Sequence, residues 1–77
     1  MNKFHPTHFV IKFQLSGEEI SLHRIDAKSL AIGGVGIVYH NGTSIGSIEL
    51  INADLIINDD QDEELLYVKD ILSDIIY

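Results

Sequence analysis

Four histidines, twelve carboxylates and one glycine-rich tract are the parts of this 77-residue chain whose types and spacing point towards chemistry. His5-Pro6-Thr7-His8 sets two imidazoles three residues apart, but the proline prevents a regular helix from running through the pair. His23 and His40 fall in separate hairpins with no spacing rule joining them. Zinc needs three or four such groups to converge, so scattered surface histidines are the stronger account, and no metal is assigned.

Asp59, Asp60, Asp62, Glu63 and Glu64 form the densest acidic cluster. The alternation of Asp60, Asp62 and Glu64 suggests calcium, yet the central glycine and terminal bidentate glutamate of a twelve-residue calcium loop are missing. Helix capping and a solvated corner explain these acids fully. Gly33-Gly34-Val35-Gly36 has neither the spacing of a dinucleotide fingerprint nor the lysine and hydroxyl residue of a phosphate-binding loop, so it reads as a tight connection into a strand. The serines at 16, 21, 29, 44, 47 and 73 show no nucleophile elbow. No catalytic residue and no cofactor is assigned, and the chain is read as non-enzymatic.

Charge is the more telling property. Residues 49 to 77 carry nine acids against Lys69 alone, whereas residues 1 to 48 carry three acids and four bases. A net charge of −7 opposes ordinary counterion-release binding to nucleic acid or anionic lipid and favours a basic partner or simple solubility. Lys3, Lys12, Arg24 and Lys28 are too few for tight phosphate binding, and Phe9 and Phe13 are better used in a core.

The elements that must position these groups begin with residues 9 to 15, where Phe9, Ile11, Phe13 and Leu15 alternate with polar or smaller neighbours as in a half-buried strand. Ser16-Gly17-Glu18 is a turn, and Ile20, Leu22 and Arg24 continue a second strand in an antiparallel hairpin. Residues 26 to 32 read two ways: a helical turn capped by Asp26 and stopped by Gly33, or a loop leading to a short strand at Leu30 to Ile32.

Asn41-Gly42 is the strongest local signal, a two-residue type I′ turn. An unbroken hairpin around it pairs Val38 with Ile45 and Ile37 with Gly46. Its predicted core face then holds Val35, Ile37, Tyr39, Ile48 and Leu50, with Val38 and Ile45 opposite. Leu55 to Ile57 form a short final strand. A helix runs from about Asp62 to Tyr77, with Asp59 or Asp60 as cap and Leu65, Val68, Leu72, Ile75 and Ile76 as its inward stripe.

The expected fold class is α+β: an antiparallel sheet of four to five strands built from two hairpins, with the C-terminal helix on one face. Residues 1–77 form one small domain, with 1–7 flexible. Such a chain buries only about 60 to 65% of its unfolded surface. It has no cysteine, which is compatible with a cytoplasmic location. Met1 to Pro6 lacks the apolar run of a secretory signal, and no stretch has the length of a membrane span.

Tyr67 and Ile71 widen the helix's apolar arc, and Leu66 lies outside it altogether. That breadth leads to the functional expectation: a cytosolic protein-interaction module, a homodimer or regulatory subunit, contacting its partner through Leu66, Tyr67, Ile71 and a sheet edge. The alternative is a nucleic-acid mimic whose acidic cluster occupies the basic groove of a DNA- or RNA-binding protein. Neither reading involves direct nucleic-acid or membrane binding.

Overall fold

Phe9, Ile11 and Phe13 alternate with Val10 and Lys12 along strand β1 (Phe9–Phe13), and all three are shielded from solvent. This is the outcome expected of a strand with one apolar face. The structure, a computed structural model, describes residues 8–58 and 62–76. Asp59, Asp60 and the segment 1–7, expected to be flexible, lie outside the described residues.

β1 is shorter than its pattern suggests. The chain reverses after Phe13, whose carbonyl accepts from the Gly17 amide at 2.8 Å, so Leu15 sits in the turn and is 83% exposed. Strand β2 (Glu19–Ser21) pairs antiparallel with β1. It does not continue to Ile25, because Leu22–Arg24 wind into a single 3-10 turn that swings Leu22 and Ile25 into the core.

The ambiguous segment is helical. Helix α1 (Ala27–Gly33) begins at Asp26, whose carboxylate accepts from the Ser29 amide at 2.8 Å and from the Ser29 hydroxyl at 2.9 Å. These bonds satisfy a donor that the first turn would otherwise leave unpaired, and they hold the Asp26 carboxyl below its ordinary pKa. Gly34, one residue beyond the expected stop, is the C-cap. Gly33 remains inside the helix, where an added Cβ would come within 2.7 Å of Phe13 Cβ.

Strands β3 (Val35–His40) and β4 (Thr43–Ile51) flank the expected turn, with Asn41 at φ 55° and Gly42 at φ 82°. His40 faces Thr43 and Tyr39 faces Ser44, as the two-residue loop requires. The register then shifts, so that Val38 faces Gly46, Ile37 faces Ser47 and Gly36 faces Ile48. Ile45 is the extra residue of a β-bulge.

This shift corrects the expected core face. Gly36 and Val38 are buried together with Ile48, while Val35, Ile37 and Tyr39 point to the other side. Packing explains the choice: Gly36 leaves room for Ile11, whose Cγ2 lies 2.5 Å from where a Cβ would stand. Gly46, at φ 152°, leaves the corresponding room for Leu65, whose Cδ1 fills the position of the missing Cβ.

Strand β5 (Asp54–Asn58) follows a second tight turn at Asn52 and Ala53, both at positive φ. The five antiparallel strands lie in the order β2-β1-β3-β4-β5. Helix α2 (Glu63–Ile76) packs against β4 and β5 and buries Leu65, Val68 and Leu72 completely. Each such side chain contributes roughly 1.5 to 3 kcal/mol by leaving water. Leu30 of α1 joins the same core, so both helices cover one face of the sheet and the α+β architecture is established.

Candidate interaction surface

The helix residues singled out from sequence separate into two kinds. Tyr67 and Ile71 are half-buried and pack against the core, with the Tyr67 ring centroid 5.8 Å from that of Phe9. Leu66 is 41% exposed. Its neighbours one turn away along the helix include Glu63 and Asp70, both exposed, and Lys69, so it sits among charged groups rather than in an apolar patch.

Two acids of the cluster, Asp62 and Glu64, are engaged within the chain. Asp62 accepts from the amides of Glu64 at 2.8 Å and Leu65 at 3.4 Å, and therefore caps α2. Glu64 Oε2 accepts from His40 Nδ1 at 2.6 Å. The His40 ring is stacked on Phe9, with centroids 4.3 Å apart and planes within 10°, and Asn41 Nδ2 lies 3.4 Å from its Nε2. A carboxylate can only accept, which places a proton on Nδ1. His40 is thus a link between sheet and helix. His23 is exposed on the 3-10 turn, and among the described residues no group of three or more histidines or acids is arranged to hold a metal ion.

The opposite face of the sheet was not singled out from sequence. Register and alternation place Val10 and Lys12 of β1, Val35, Ile37 and Tyr39 of β3, Ser47 and Glu49 of β4, and Ile56 of β5 on it. Val10, Val35, Ile37 and Tyr39 are half-buried by one another, and Ile56 is 42% and Ile51 48% exposed. Both helices lie on the far side, and no element among the described residues covers it. An open depression of about 350 Å³ is lined by Val10, Lys12, Glu19, Tyr39 and Gly42. The available signal was the run Val35 to Tyr39, apolar at both odd and even positions.

The two sides differ sharply in charge. α2 and its cap carry Asp62, Glu63, Glu64, Asp70 and Asp74 against Lys69, whereas the open face sets one cation, Lys12, beside Glu19, Glu49 and Asp54. Among the described residues, no helix is long and apolar enough to cross a membrane. No family model, curated protein or solved structure matches the chain.

Proposed function

We propose that this protein is a non-catalytic interaction module whose docking surface is the open face of its sheet. One observation carries the reading: a five-stranded sheet with both helices on one side leaves Val10, Val35, Ile37, Tyr39 and Ile56 on a face with no covering layer among the described residues. Antiparallel sheets with a solvated face ordinarily make that face polar. Here the stripe Val35, Ile37 and Tyr39, with Val10 beside it, departs from that pattern, and Lys12 and Glu49 border it directly, a mixture of apolar and charged groups that suits a protein contact.

The helix contact through Leu66, Tyr67 and Ile71 receives less support, since two of the three side chains are used in packing and the third stands among the charged groups Glu63, Lys69 and Asp70. The nucleic-acid mimic is similarly weakened, because Asp62 and Glu64 are committed within the chain.

Site-specific photocrosslinking in the native host tests the surface. A photoreactive phenylalanine analogue at Tyr39 is expected to yield a covalent adduct, and the same group at Leu66 is expected to yield little. Adducts from position 66 alone, or from neither position, would remove the reading.

A further inference from the structure

We infer that the open face pairs with a second copy of this chain, sheet against sheet, about a two-fold axis running along β3. The inference rests on the interaction-module reading and names its partner. β3 is the central strand of five, and on the open face it carries only the apolar stripe Val35, Ile37 and Tyr39. An axis along this strand lays each stripe over its own copy and sets β1 of one copy over β4 of the other.

Charge selects this arrangement. Lys12 lies on β1 at the level of Ile37, and Glu49 lies on β4 at the level of Val35. After the two-fold operation each Lys12 sits over β4 of the partner, displaced from its Glu49 by two residues along the strand. That is about 7 Å, within the sweep of a lysine side chain. Neither residue has a salt bridge within its own chain among the described residues, so both are available. The other face-to-face two-fold, with its axis across the strands, brings β1 over β1 and β4 over β4 and opposes like charges. A helix-to-helix pairing would bring together two strips of Glu63, Asp70 and Asp74.

The area bounds the strength of the pairing. Five strands about 4.8 Å apart, each about five residues at roughly 3.3 Å, present about 400 Å² per copy, below the roughly 1,000 Å² in total that a stable interface clears. The dimer is therefore a weak, exchanging one.

Sedimentation of the purified full chain from about 1 to 300 μM, the span in which a weak dimer dissociates, tests the pairing. Wild type is expected to shift from monomer to dimer. Lys12→Glu and Glu49→Lys are each expected to weaken self-association at least tenfold. An equimolar mixture of the two variants is expected to restore the dimer, since both cross-contacts become attractive. A wild type that stays monomeric overturns the inference, as does a dimer indifferent to both substitutions or a mixture that fails to recover. Because the chain has no cysteine, a Tyr39→Cys variant treated with a short bis-maleimide gives an independent reading. Its failure to cross-link to itself counts against the axis, even where a charge variant misfolds. A purified monomer whose position 39 still captures a different protein in the host overturns the self-pairing alone and leaves the interaction module standing.

Discussion

His40 Nδ1 and Glu64 Oε2 lie 2.6 Å apart, joining the turn end of β3 to the first turn of α2 across 24 residues of sequence. The contact fixes where the helix begins to cross the sheet. The imidazole also lies flat on Phe9, so one side chain serves two neighbours.

A double-mutant cycle separates these roles. Glu64→Gln and His40→Ala, each alone and together, are expected to show a coupling of about 0.5 to 1 kcal/mol in urea denaturation, the range for a partly exposed ion pair. His40→Ala is expected to cost more than Glu64→Gln, because it also removes the stack on Phe9.

Gly46→Ala is expected to destabilise by about 1 to 3 kcal/mol, since the added methyl meets Leu65 and the Asn58 carbonyl. Leu65→Ala alone is expected to cost about 2 to 5 kcal/mol by opening a cavity. The double variant is expected to cost less than the sum, and strict additivity in equilibrium unfolding would show that the two positions do not compete for one space.

Ala53 occupies φ 69° in the turn between β4 and β5, a region that disfavours a Cβ. Ala53→Gly is expected to stabilise the chain by up to about 1 kcal/mol, less the entropy that glycine adds to the unfolded state. A raised midpoint in thermal denaturation checks it.

Asp26→Ala is expected to lower the denaturation midpoint at neutral pH by removing the cap of α1. The Ser29 amide and hydroxyl depress the Asp26 pKa from its ordinary 3.8, so the stabilisation is fully present above that value. It is lost as pH falls through the lower folded-state pKa. Thermal melts of the two proteins are therefore expected to differ at pH 7 and to converge under strongly acidic conditions.

Much of the fold is legible in local pattern. The alternation in β1, the Asn41-Gly42 turn and the Leu65, Val68, Leu72 stripe each follow from short-range rules, and each is found in place. The core face of β3 is not legible in this way. Its residues are apolar on both sides, and what decides between the sides is the extra residue Ile45 together with the fit of Leu65 over Gly46 and Ile11 beside Gly36. Those contacts join segments far apart in sequence. The same reversal conceals the open face, because an unshifted hairpin places Val35, Ile37 and Tyr39 in the interior.

With α1 and α2 on the same side, the molecule has a single broad strand surface to offer, and joining two copies there consumes it on both. What remains outward is the helical layer, on which α2 carries the acids and α1 the single cation Lys28. A pair joined in that way would still present the β2 and β5 margins, the two edges of the sheet, to further strands.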